Sequence, residues 1–111
     1  MKTATHWHER LLSEKQELEA LSDDARESRG AVELDQQGVG RLSRMDAMQQ
    51  QAMAVASERR RRMRISQIEV ALKRLVTDDF GYCIRCGEPI LEERLAIDPA
   101  STLCVDCADT R

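Results

Sequence analysis

The chain has 111 residues, of which 33% are charged and only 3% aromatic, and its formal net charge is −3. Aromatic side chains usually supply much of a buried core, so this composition argues against a compact single-core globule. The hydrophobic content of 41% argues equally against a disordered chain. Long helices that share a narrow apolar seam fit both numbers. The acidic balance lacks the overall basic footprint of a nucleic-acid-binding protein, so direct sequence-specific DNA binding is not expected.

The N-terminal segment MKTATHWHERLLSEKQ has no uninterrupted apolar region of the kind found in secretory signals. The longest apolar runs are a few residues, too short to cross a membrane. We therefore expect a cytoplasmic protein. In that reducing compartment paired cysteines are more often metal ligands than disulfides.

Two long stretches without glycine or proline predict an antiparallel helical coiled-coil hairpin, with helices over residues 3–27 and 43–77. Glycines at positions 30, 38 and 40 predict the tip loop, residues 28–42. Apolar residues of the first helix recur at the spacing of a coiled-coil seam. The predicted seam positions are Ala4, Trp7, Leu11, Glu14, Leu18, Leu21, Ala25 and Ser28.

Side chains at the helix starts suggest capping. Thr3 or Thr5 could cap the first helix. Ser43 is expected to cap the second, with Asp46 completing an approximate capping box.

The second helix changes its apolar face along its length, which predicts a partner on each face. The first face is formed by Met45, Ala52, Ala56, Met63 and Val70, and the opposite face by Ile65, Ile68, Leu72 and Leu75. If the chain folds back at residues 30–40, paired positions sum to about 70. Leu18 then lies opposite Ala52, and Trp7 opposite Met63. The second face would either cover the metal-binding domain or form a dimer surface.

All four cysteines lie near the C-terminus as two Cys-x-x-Cys pairs, at positions 83, 86, 104 and 107. This spacing predicts one structural zinc ion held by Cys83, Cys86, Cys104 and Cys107. Redox pairs and an iron–sulfur cluster fit the spacing less well, and four thiolates leave no open position for catalysis. The predicted zinc-finger domain is residues 78–111, following a hairpin domain of residues 1–77. A miniature core is expected from Ile90, Leu91, Leu95, Ile97 and Leu103, too small to fold without metal.

The second helix also carries a dense basic run, ERRRRMR, at residues 58–64. It either forms a solvated face balanced by the acidic EKQELE segment of the first helix, or contacts phosphate or an acidic protein surface. Nothing in the chain resembles a catalytic constellation, so no enzymatic activity is expected.

The phrase DDFGYCIRCGEPILEERLAIDPASTLCVDC, together with the preceding hairpin, resembles the DksA/TraR family of bacterial transcription regulators. The resemblance implies binding to RNA polymerase, with the hairpin inserted into its secondary channel and its tip near the active centre. Some members act with the alarmone ppGpp. Residues Asp35, Arg41, Arg44, Asp46 and Met48 are the expected partner-binding positions.

The hairpin tip departs from the family pattern. The best-known members carry Asp-x-x-Asp-x-Ala, whereas this chain has Ser43 in place of the first aspartate and Met48 in place of the alanine, leaving Asp46 as the second aspartate.

A monomer is expected rather than a dimer. The alternative function is a zinc-finger coiled-coil adaptor that binds another protein or itself.

Overall fold

The computed structural model describes residues 2–26 and 41–109, and over these residues the protein is mainly helical. The helices are α1, Ala4–Asp24; α2, Arg41–Val76; α3, Glu92–Ile97; and α4, Val105–Asp109. Among the described residues there is no strand, and an isolated bridge joins Tyr82 to Pro89. No described helix combines the length and the low polarity needed to cross a membrane.

The two long helices correspond to the helices predicted over residues 3–27 and 43–77. Thr3 caps α1 as predicted, because its hydroxyl accepts a hydrogen bond from the backbone N–H of His6 at 3.3 Å. The prediction for Ser43 is wrong, since α2 begins at Arg41 and position 43 lies inside it. Most of the predicted tip loop lies outside the described residues.

The chain forms two compact units. The first consists of residues 1–16 and 65–111, and the second of residues 17–64. The proposed domain boundary between residues 77 and 78 stays a prediction.

In the second unit, the antiparallel pairing of α1 with α2 is fixed by a contact between Ser22 and Glu58. The Ser22 hydroxyl donates to the Glu58 carboxylate, at 2.5 Å to Oε1. The two positions sum to 80 rather than to about 70, so the predicted register is wrong by about ten residues. The predicted register places Ala52 and Met63 in the seam, but both are exposed, Met63 to 60%.

The residues of α2 that are buried or half-buried include a stripe with alternating spacings of four and three, as expected of a coiled-coil seam. We call this the α2 stripe: Ala47, Gln51, Ala54, Glu58, Arg61, Ile65, Ile68, Leu72 and Leu75. The opposite-face residues noted from sequence are therefore the C-terminal part of one continuous stripe. Its N-terminal part was missed because Gln51, Glu58 and Arg61 are polar.

The buried carboxylate of Glu58 has polar partners in the second unit. Its oxygens accept hydrogen bonds from Arg61 Nε at 3.1 Å and Arg62 Nε at 2.9 Å, in addition to the Ser22 hydroxyl. The Glu58 side chain is only 8% exposed, and Arg61 only 19%. A buried charge is tolerated when it is paired and hydrogen-bonded, which explains how a glutamate occupies a seam position.

In the first unit, the core brings the start of α1 together with the cysteine-containing segment. Trp7, Cys83, Ile90 and Leu95 are each at least 95% buried, and Leu75 of α2 packs against them. The Trp7 and Phe80 rings lie 5.8 Å apart at 41°. Such aromatic pairs contribute beyond the area that they bury. The finger core is thus completed by a tryptophan from outside the finger.

The predicted miniature core is only partly confirmed. Ile90 and Leu95 are buried, and Leu103 packs against them, but Leu91 and Ile97 are 65% and 85% exposed. In the structure the core around Ile90 and Leu95 includes Trp7, with the partly buried Phe80 packed against it.

Candidate metal centre

The segment between α2 and the first cysteine pair makes two sharp changes of direction. Asp78 and Gly81 adopt positive φ angles of 64° and 88°, a backbone region that glycine enters without a steric penalty and aspartate tolerates. Arg74 holds the turn, since its guanidinium donates to the carbonyls of Asp79, at 2.8 Å, and Tyr82. The first cysteine pair therefore begins at a defined position relative to the end of α2.

The first cysteine pair forms a tight knuckle. The backbone N–H of Gly87 donates to the Cys83 carbonyl, and the N–H of Cys83 donates to the Glu88 carbonyl, both at 2.9 Å. Gly87 has a φ of 77°, and nothing lies within 4 Å of where its Cβ would be. Glycine is therefore required there by backbone conformation rather than by space.

The second pair is held against the first by bonds that cross the finger. The Ile84 N–H donates to the Thr102 carbonyl at 2.9 Å. The Arg94 and Arg85 side chains donate to the carbonyls of Leu103 and Cys107, at 2.9 and 3.3 Å. These bonds bring residues 102–107 alongside the knuckle.

The four sulfur atoms converge as the sequence predicts. The Sγ atoms of Cys83, Cys86, Cys104 and Cys107 all lie within 4.8 Å of one another, and those of Cys86 and Cys104 are 3.7 Å apart. In a tetrahedron with zinc–sulfur bonds of about 2.3 Å, sulfur atoms lie roughly 3.8 Å apart. The donor set and its spacing fit one zinc ion, with no position left open for a substrate.

The environment of Cys83 favours its thiolate. Burial acts to raise the pKa of this thiol, but the backbone N–H groups of Cys104, Cys86 and Arg85 donate hydrogen bonds to its sulfur and lower the pKa to about 6. Amide donors aimed at a sulfur are the usual second layer of a thiolate–metal site.

Two of the other thiols, those of Cys86 and Cys107, resist ionisation beside it. The hydrogen bond with the Cys104 thiol, followed by burial, raises the pKa of Cys107 to about 12. The backbone N–H of Glu88 acts to lower the pKa of Cys86, but burial and the sulfurs of Cys83 and Cys104 raise it overall. Four thiolates cannot share this space without a cation. A divalent metal offsets their repulsion as it displaces their protons.

The predicted partner-binding residues lie apart from the cysteines in sequence, at the N-terminal end of α2. Arg44, Asp46 and Met48 are exposed there, Met48 to 60%. Position 41 is the first residue of α2. Asp35 lies outside the described residues.

The zinc-finger segment matches a known family. Residues 78–111 match the family model described as the prokaryotic dksA/traR C4-type zinc finger, so the four-cysteine site carries one structural zinc ion. The RNA polymerase-binding transcription factor DksA of Haemophilus influenzae is 52% identical over 48 residues, which are 43% of this chain and 33% of that protein. The protein of the same name in Escherichia coli K12 is 46% identical over 48 residues, which are 43% of this chain and 32% of that protein.

A solved structure extends the likeness beyond the finger. Transcription factor DksA2 from Pseudomonas aeruginosa aligns with a TM-score of 0.79 over 96% of this chain and 80% of that chain, at 24% identity. At this identity the likeness shows the fold. The sequence matches span about a third of the length of the curated relatives. The finger segment is thus similar to the dksA/traR C4-type zinc finger, and the described chain shares the fold of DksA2.

Proposed function

We propose that this chain binds RNA polymerase in the bacterial cytoplasm and modulates transcription, without catalysing a reaction of its own. The observation that carries the proposal is the four-cysteine finger, which is similar in sequence to proteins named as RNA polymerase-binding transcription factors. The paired helices support it, because they share the fold of a DksA2 structure. A site saturated by four cysteines points to a structural role for the metal.

We place the polymerase contact at the hairpin tip, inserted through the secondary channel toward the active centre. Arg44, Asp46 and Met48 support this assignment, since all three are exposed within one turn and a half of α2. A carboxylate flanked by a cation and a flexible thioether can form a salt bridge and adapt to an uneven apolar surface. We include Arg41 and Asp35 in this contact region on their sequence positions.

The basic run contributes less free charge than its sequence suggests. Arg61 and Arg62 both pair with the buried Glu58 carboxylate. A DNA-binding surface needs several cations available to phosphates. We therefore propose that the exposed guanidinium groups of this run face protein rather than DNA.

The test is co-purification of the zinc-loaded chain with core RNA polymerase at low salt, with Asp46→Asn as the variant. The matched control is Glu69→Gln, which removes an exposed carboxylate from the same helix outside the tip region. We expect the wild type and the control to bind, and Asp46→Asn to bind more weakly or to lose its effect on transcription. Absence of polymerase association in the wild type would reject the proposal.

The adaptor alternative relied on a dimer surface formed by Ile65, Ile68, Leu72 and Leu75. Ile68 is fully buried within the chain, and Leu75 packs against the finger core. Two of the four side chains are thus occupied by internal packing, and the other two, Ile65 and Leu72, are half-buried. This burial favours a monomeric regulator. A response to ppGpp stays a prediction, to be checked by transcription assays with and without the nucleotide.

A further inference from the structure

The finger carries an exposed apolar groove separate from the cysteines. Leu91, Ile97 and Val105, which are 65%, 85% and 44% exposed, line a cavity of about 350 Å³ together with Glu93 and Asp98. Two of these aliphatic residues are the ones that sequence placed in the core. Exposed aliphatic side chains that share one concave surface are typical of an interaction site.

Hydrogen bonds within the finger connect the walls of the groove. Arg94, which also lines it, donates from Nε to the Leu103 carbonyl at 2.9 Å, joining α3 to the segment before the second cysteine pair. Asp98 closes α3, because its N–H donates to the Arg94 carbonyl and its Oδ1 accepts from the Ala100 N–H at 3.0 Å. A surface that needs no ordering on binding retains more of its interaction free energy.

Charge identifies the class of partner. Residues 78–111 hold eight acidic residues against three arginines, and a zinc ion with four thiolates adds further negative charge. The charged residues that line the groove are Glu93, Asp98 and Arg94, so two carboxylates outnumber one guanidinium, which donates to the Leu103 carbonyl. An acidic surface repels nucleic acid and anionic lipid and attracts a cationic protein segment.

We propose that this groove docks a basic protein segment that inserts aliphatic side chains between Leu91, Ile97 and Val105 while its lysines or arginines meet the acidic rim. The occupant belongs to another protein. The groove is a second docking surface, distinct from the hairpin tip.

The test uses the full zinc-loaded chain, labelled with ¹⁵N, and two amphipathic peptides that contain only leucine and lysine or only leucine and glutamate. We expect the lysine peptide to give saturable NMR shifts centred on residues 91–105, and the glutamate peptide to give none. The double variant Leu91→Ser/Ile97→Ser should weaken binding at least tenfold. Val76→Ser is the matched control, since Val76 is 83% exposed but does not line the groove, and it should leave the affinity unchanged.

A charge variant keeps the test decisive if the double variant fails to fold. Glu93→Lys should weaken lysine-peptide binding severalfold and reduce its dependence on salt. Shifts spread over acidic residues outside the groove, or equal weakening by Val76→Ser, would overturn the proposal. So would a wild-type dimer that requires Ile97, because the occupant would then be a second copy. The peptide experiment contains no polymerase, so its outcome is independent of the proposed function.

Discussion

The two compact units bury different kinds of side chain. Around the cysteines the core is apolar and aromatic, with Trp7, Ile90 and Leu95 nearly inaccessible. In the second unit the most buried side chain of the α2 stripe is a glutamate, held by a serine and two arginines. Apolar burial stabilises in proportion to area, whereas a buried ion pair contributes little net free energy but disfavours alternative pairings. We conclude that the first unit carries most of the stability and that the polar contacts of the second fix its helix register.

The largest effect on stability is expected from loss of the metal in the first unit. Chelation of zinc, or Cys86→Ser, is expected to unfold residues 78–109, because structural zinc supplies roughly 10–16 kcal/mol in small zinc-finger peptides. Trp7 is the only tryptophan, so its fluorescence should shift to longer wavelength as its packing is lost. Zinc should restore the signal in the wild type but not in Cys86→Ser. Unchanged emission after complete metal removal would contradict the conclusion that the apolar core of the first unit depends on the metal.

The next largest effect is expected from Trp7→Ala. Removing a buried aromatic side chain from a core costs about 3–5 kcal/mol, and this one packs on the finger from outside it. Chemical denaturation followed by circular dichroism measures the change. Trp7→Phe serves as the control and should cost less, because it retains a ring beside Phe80. An alanine variant as stable as the wild type would show that the finger core does not depend on α1.

A smaller effect is expected in the second unit. Glu58→Ala should destabilise the protein by about 1–3 kcal/mol, since it leaves buried polar partners unsatisfied. The double variant Glu58→Leu/Arg61→Leu should be neutral or stabilising, because replacement of both partners of a buried ion pair by apolar residues often is. Thermal unfolding compares both with Glu69→Ala, an exposed change expected to stay within about 0.5 kcal/mol. If Glu58→Leu/Arg61→Leu destabilises as much as Glu58→Ala, the ion pair supplies stability rather than register.

The smallest effect is expected for Arg26→Ala. The Asp23–Arg26 pair is 3.1 Å long, but both side chains are more than 70% exposed. Exposed pairs of this kind typically contribute less than about 1 kcal/mol, so the unfolding midpoint should barely move. High salt should remove even that difference. A loss as large as that of Glu58→Ala would mean that exposure does not separate the two ion pairs.

The same contrast explains what could be predicted from sequence. The four-cysteine site was predicted residue by residue, because two thiolates two positions apart on a turn have few other uses in a reducing compartment. The helices were predicted from their lack of glycine and proline. The register cannot be predicted in this way, because the apolar periodicity of α2 favours Met45, Ala52 and Met63, which are exposed. The true stripe passes through Glu58 and Arg61, whose burial depends on partners that no periodicity reveals.

The metal ligands and the exposed groove residues also differ in how well the sequence predicts them. Spacing identified the metal ligands, but nothing in the sequence indicated that Leu91 and Ile97 would be exposed. Hydrophobicity alone predicts their burial, whereas the core of the structure is formed by Trp7, Cys83, Ile90 and Leu95 without them. If Glu58 is accepted as a seam residue because Ser22 pairs with it, however, the alternating spacings of four and three residues in the α2 stripe can be recognised in the sequence.

Site-specific photocrosslinking tests the central claim most directly. A photoreactive amino acid replaces Met48, which is exposed near the start of α2, or Val76, which is exposed at its end, and each protein is mixed with core RNA polymerase. The account predicts a crosslink from position 48 to residues that line the secondary channel, and none into the channel from position 76. Absence of a crosslink from position 48 at saturating polymerase, or a crosslink outside the channel, would contradict it.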